Sequence, residues 1–145
     1  QLQIFRHSSG YLVGKIYGGS QGRLTRTQSP NIAPLNVWTH ITFTVDLSQT
    51  FGSRGKLYIN GSNVTSSDST NQATISTSGG GIFIGKRNVI SDLYFNGKID
   101  EVGIWNTALT STQIQSIYDA TSTNLTKDLS TVAGGPVYWN RMGDN

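Results

Sequence analysis

Asn60-Gly61 stands between Leu57-Tyr58-Ile59 and Asn63-Val64-Thr65, and no other stretch restricts this chain's geometry as tightly. Asn-Gly accepts positive φ at both positions, as a two-residue type I′ turn requires, and the flanking residues read as strands. The segment GKLYINGSNVT therefore predicts a tight hairpin and, with it, antiparallel pairing. Asn60 and Gly61 are assigned a structural role on this basis. QLQIF and YLVGKIYG, on either side of His7-Ser8-Ser9-Gly10, predict a second hairpin. VWTHITFTVD puts Val37, Thr39, Ile41, Phe43 and Val45 on one face, expected to meet the core, and Trp38, His40, Thr42 and Thr44 on the other. GIFIG reads as a brief strand framed by glycines, and VYWN as a last one. Residues 65–80 are polar and mobile-looking, with room for a short strand near Ile75. With 145 residues and 17 glycines, the pattern is that of one domain built from short strands and many turns.

The stretch FNGKIDEVGIWNTALTSTQIQSIY, residues 95–118, changes period midway. In an extended strand Asp100, Val102 and Ile104 share one face, and Ile99, Glu101, Gly103 and Trp105 the other. The two acids then point to opposite sides and cannot serve one bond as acid and base. Asp100 is expected on the buried face, tying down a loop, because a buried carboxylate needs donors or a cation. Trp105 is expected to pack against a helix. Thr110 and Gln113 fit a capping box, and Ile114, Ile117 and Tyr118 follow at helical spacing. One short helix is predicted from about Thr110–Thr112. A Ser/Thr-rich connector then runs to Gly134-Gly135-Pro136. The division expected is a domain over 1–118, with 119–145 as connector and final strand leading to a following segment.

Charged residues make up only 13% of the chain, so few groups are available for acid–base work. Lys15, Arg23, Arg26, Arg54, Lys56, Arg87 and Lys98 are scattered singly, and the net charge of +3 lacks the basic stripe that nucleic-acid binding shows. There is no cysteine, hence no disulfide or thiolate site. No apolar run approaches the roughly 20 residues of a membrane span, so membrane insertion is not expected. No stretch reads as a signal peptide.

In order along the chain, WTHITFTVD, GKLYING, IFIG and FNGKIDEVGIWNTALTSTQI resemble the laminin G-like, concanavalin A-like lectin/glucanase jelly rolls, over roughly residues 1–118. The resemblance implies an all-β fold: a two-sheet antiparallel jelly-roll sandwich with a short helix after IDEVGIW. It also implies strands before the one that Gln1–Phe5 resembles, so the sandwich is expected to lack its N-terminal strands. A neighbouring chain, or the remainder of a larger protein, is then expected to complete it. The tail VYWNRMGDN is similar to segments that follow such domains in large repetitive surface proteins, including structural proteins of marine phages. An extracellular, cell-surface or virion-surface location follows from that likeness.

Members of this group are mostly binding and adhesion modules, with some glucan hydrolases. The hydrolases carry two Glu and one Asp alternating along a strand. Glu101 is the only glutamate here and no such array exists, so no catalytic residue is assigned. His7 and His40 form no triad pattern with a serine, and His40 is expected to be structural. Relatives often hold calcium at the rim of the sandwich. Asp46, Asp68, Asp92 and Asp100 are available, but no loop groups three of them, so neither a metal site nor any other cofactor is assigned. Sugar recognition asks for an aromatic platform beside hydrogen-bonding side chains on loops. GKRNVISDLYFNG supplies Arg87, Asn88, Asp92, Tyr94 and Asn96 as glycan-binding candidates. The sequons at Asn60, Asn63 and Asn124 bear only on a eukaryotic secretory setting. The functional expectation is a non-catalytic adhesion or carbohydrate-binding module of a larger surface or virion structural protein, with a glycan or protein partner. The alternative is an architectural capsid-decoration or fibre domain, and a glycan hydrolase comes third.

Overall fold

The computed structural model describes residues 2–17, 23–68, 83–86, 94–122 and 128–142. Among these residues the chain is antiparallel β-structure with one α-helix. Its strands are β1 (Leu2–Arg6), β2 (Tyr11–Tyr17), β3 (Arg23–Ile32), β4 (Ile41–Val45), β5 (Gly55–Ile59), β6 (Ser62–Asn63), β7 (Ser67–Asp68), β8 (Val102–Ile104) and β9 (Tyr138–Asn140), with helix α1 (Ser111–Ser122) between the last two. They form a four-stranded sheet, β1-β2-β3-β7, a three-stranded sheet, β4-β5-β6, and the pair β8-β9.

The first hairpin forms as the pattern predicts. Gly10, at φ 94°, turns the chain, its N–H donates to the His7 carbonyl, and the His7 ring stacks on Tyr11. The second hairpin turns at Asn60 (φ 49°) and Gly61 (φ 77°), with Ile59 facing Ser62. β3 escaped the pattern reading. Its sequence, RLTRTQSPNI, holds two arginines and a proline and shows no apolar alternation. It is a strand because β2 pairs with it along its length, so tertiary context overrides weak local preference.

Leu57 and Tyr58 are neighbours on β5 and point to opposite faces, yet they are only 0% and 3% exposed. Each belongs to a different core. Leu57 packs with Leu12 and Ala33, joined by Ile41, Phe43, Ile59 and Val64, and this cluster fuses the two larger sheets. Within this seam Phe43 lies over Gly14: a Cβ on Gly14 would sit 2.5 Å from the ring. Tyr58 packs on the far side with Leu109, Ile114, Ile117, Leu129 and Val132, backed by Trp105 and Trp139. The order of layers is therefore sheet, sheet, then helix with β8-β9.

Several expectations are corrected by this architecture. β4 starts at Ile41, not Val37: Asn36 takes a left-handed φ of 60° and the chain bends, leaving Val37, expected to meet the core, and Trp38 both exposed ahead of the strand. The described part of GIFIG, residues 83–85, forms no strand, and an isolated bridge, Lys86 to Tyr94, follows directly after it. The strand proposed near Ile75 lies outside the described residues. A boundary at residue 118 falls inside α1, which continues to Ser122. Leu129 and Val132 complete the helix-side core, and β9 pairs with β8, so this later segment belongs to the same packed unit.

Candidate functional site

Two acidic residues head β8, and the structure separates their roles. Glu101 adopts φ 50°, which interrupts the extended run, so the alternation that placed Asp100 with Val102 and Ile104 does not hold. Asp100 is exposed, not buried as expected, and its Oδ1 accepts the N–H of Glu101 at 2.8 Å. Glu101 does the tying. Its Oε2 accepts the Trp139 indole N–H at 2.7 Å, and its Oε1 meets Arg141 Nε at 3.2 Å. The guanidinium lies 5.5 Å from the Trp139 ring centroid. A carboxylate engaged by an indole donor and a guanidinium is suited to fastening β9 to β8. The available signal was the spacing of Trp139 and Arg141, two positions apart at the last strand.

Asn60 and Gly61 act as structural residues do. The Asn60 Oδ1 accepts the His40 N–H at 3.0 Å, and its own N–H donates to the His40 carbonyl at 2.9 Å. Gly61 is buried beneath α1, where a Cβ would meet the Gln115 side chain at 2.5 Å. The capping box holds the helix start above this turn: Thr110 N–H donates to Gln113 Oε1 at 2.8 Å, and Gln113 N–H to Thr110 Oγ1 at 3.3 Å. His40 completes the junction. Its ring stacks on Tyr118 of α1 with centroids 6.1 Å apart, its Nε2 is 3.5 Å from the Thr42 hydroxyl, and its Nδ1 is buried without a hydrogen-bond partner. Burial pushes the His40 pKa below the ordinary histidine value.

Of the acids considered for calcium, Asp46 has both oxygens occupied. Oδ1 accepts the Ser48 hydroxyl at 2.6 Å and the Ser48 N–H at 2.9 Å, and Oδ2 accepts from Gln49 at 2.9 Å. The Ser48 hydroxyl bond, then that of Gln49, holds its pKa below the usual carboxylate range. Asp68 Oδ2 accepts the Gly55 N–H at 2.8 Å. Among the described residues no three side chains of His, Asp or Glu converge as a metal site would require.

Of the glycan candidates, Arg87, Asn88 and Asp92 lie outside the described residues, while Tyr94 and Asn96 lie within them. Tyr94 is 68% exposed and the adjoining Phe95 56% exposed. The bridge from Lys86 to Tyr94 and the Phe95 N–H bond to the Gly85 carbonyl, 2.8 Å, tie the two halves of the rim together. Phe83 is also exposed, with the Lys86 ammonium 5.3 Å from its ring centroid. The Phe95 ring lies over Gly97, whose missing Cβ leaves room for it. Asn96 and Lys98, on either side of Gly97 in the chain, are both exposed. Phe83, Tyr94 and Phe95 thus expose aromatic rings on two paired segments that also carry the Asn96 amide and the Lys86 and Lys98 ammonium groups. Phe83 and Phe95 were not among the candidates, because phenylalanines near strand patterns read as core. Their glycine neighbours, Gly85 and Gly97, were the signal.

A second exposed apolar group caps the loop before β4, where Leu35, Val37 and Trp38 all face solvent and Trp38 is 66% exposed. Thr39 Oγ1 donates to the Val37 carbonyl at 3.2 Å and stiffens this loop.

The profile of the laminin G-like group described as the Concanavalin A-like lectin/glucanases superfamily matches residues 2–115. A crystal structure of an S-layer domain-containing protein from Clostridium thermocellum is 26% identical and superimposes with a TM-score of 0.44, over 81% of this chain and 55% of that one. The chain thus spans about half the length of that structure. Comparison with curated proteins gives no significant match.

Proposed function

We propose a binding role from one premise: the chain belongs to the laminin G-like family of the concanavalin A-like lectin/glucanases superfamily. It is a non-catalytic carbohydrate-binding or adhesion module of a larger, surface-associated protein, displayed outside a cell or on a virion. The observation that carries this reading is the exposed aromatic rim of Phe83, Tyr94 and Phe95 beside Asn96. A pyranose ring has one face of C–H groups and an edge of hydroxyls. Tyr94 stacks on the first while Asn96 and the Lys86 ammonium receive the second. The non-catalytic part of the reading is supported by Glu101, the one glutamate, whose carboxylate fastens Trp139 and Arg141.

The test is a glycan array on the whole chain, followed by titration of any ligand found. Tyr94→Ala is expected to weaken binding about tenfold, the loss of a stacked ring being worth ~1.4 kcal/mol. Failure to bind any glycan, or binding unchanged in Tyr94→Ala, overturns the assignment. A second reading, an architectural domain acting through protein contacts, is favoured by the Leu35, Val37 and Trp38 loop, since exposed apolar groups rimmed by polar residues mark protein interfaces. It expects Trp38→Ala to abolish self-association or co-purification with the parent assembly while leaving glycan binding intact.

A further inference from the structure

The sequence contains Asn-Gly twice, at Asn60-Gly61 and at Asn96-Gly97, and the structure treats the two in opposite ways. The first is held: the Asn60 side chain accepts the His40 N–H, its main chain donates to the His40 carbonyl, and Gly61 is buried against Gln115. The second is open. Asn96 and Gly97 are exposed, lie in a bend outside any strand, and make no hydrogen bond to another described residue. The ladder stops one residue earlier, at the Phe95 N–H.

We propose that Asn96 is a site of spontaneous covalent modification, converting to aspartate and isoaspartate in the native protein, whereas Asn60 is protected by the fold. The Gly97 main-chain nitrogen gives up its proton and attacks the Asn96 side-chain carbon. A new C–N bond closes a five-membered succinimide, the bond to the side-chain amide nitrogen breaks, and ammonia leaves with the proton. Water then adds to one of the two ring carbonyls and the ring opens there. Opening at the side-chain carbon gives aspartate, and opening at the main-chain carbon gives isoaspartate. The balance is asparagine plus water to aspartate plus ammonia, with nothing oxidised or reduced. The reaction needs a side chain free to rotate towards a main-chain nitrogen that carries no Cβ barrier on its own residue. Glycine at 97 and exposure at 96 supply both. At Asn60 the same approach would require the His40 bonds to break and α1 to lift, so it waits on local opening. The product lowers the formal net charge of +3 by one and puts a carboxylate beside Tyr94. On the binding reading above, that residue belongs to the sugar-contacting rim, so the proposed module ages at its own site.

The experiment incubates the whole chain in warm, mildly alkaline buffer and maps tryptic peptides by mass spectrometry, with a parallel sample in urea. The peptide from Asn88 to Lys98 is expected to gain one mass unit, localised to Asn96, with isoaspartate present. The peptide from Leu57 to Lys86 is expected to change at Asn60 about tenfold more slowly or less. In urea the two sites should react at comparable rates, and Asn96→Gln should remove the first shift. Equal rates at both sites in the native chain overturn the proposal, as does an Asn96 that reacts in urea but not in the native chain. Because the readout is mass, the result stands whether or not the rim binds a glycan.

Discussion

Glu101 combines a cost and a gain in one residue. An L-residue in the left-handed region costs about 1–2 kcal/mol, and Glu101 sits there at φ 50° while its carboxylate joins Trp139 and Arg141. The two contributions separate by substitution. Glu101→Ala keeps the strain and loses both partners, so it is expected to lower stability by about 1.5–3 kcal/mol, the range for hydrogen bonds to a charged group. Glu101→Gly loses the same partners but releases the strain, and should be about 1 kcal/mol more stable than the alanine variant. Chemical denaturation of the two variants beside the parent gives the order directly. An alanine variant as stable as the glycine one would mean that the backbone angle carries no cost.

At the scale of elements, β4, the β5-β6 turn and α1 meet at His40. Burial favours the neutral imidazole in the fold and holds its pKa below the ordinary value. In the unfolded chain it takes up a proton near about pH 6.5. Between that pH and the lower folded value the unfolded state binds more protons, so stability falls as pH drops through this window and levels off below it. Melting temperatures measured from about pH 7 to about pH 5 should therefore fall more steeply for the parent than for His40→Gln. Equal slopes would contradict the assignment. The same junction shows what the sequence makes legible. Asn60-Gly61 and the Thr110–Gln113 box are local devices whose geometry follows from residue types a few positions apart, and both form as the pattern predicts. The extent of β4, the existence of β3 and the exposure of Asp100 are not local. They depend on which neighbour supplies hydrogen bonds and on two left-handed residues, Asn36 and Glu101, whose conformations no periodicity announces. Tyr94 and Asn96 were visible as rim residues from their loop composition. Phe83 and Phe95 were not, because an apolar ring looks the same in a pattern whether a neighbour covers it or not.

Over the whole molecule, the fit between the two larger sheets depends on Gly14 leaving space for Phe43. Gly14→Ala is expected to destabilise by about 1–3 kcal/mol through overpacking. Adding Phe43→Leu should recover part of that loss, a coupling that a double-mutant cycle measures and that simple additivity would rule out. Beyond that seam, β5 separates the two cores, with Leu57 on one side and Tyr58 on the other. Leu57→Ala is expected to cost about 2–5 kcal/mol in melting experiments. The consequence reaches into how the protein can change over generations. A strand with one wet face offers alternate positions where substitution is nearly free, but consecutive positions of β5 are each committed to a different interior. In a saturation library selected for folding, Leu57 and Tyr58 should both accept few replacements, while Tyr94 and Asn96 on the rim accept many. New recognition can therefore be tried at the rim with little risk to the fold, and sequence drift should be slowest at Leu57 and Tyr58, the adjacent pair that faces two interiors.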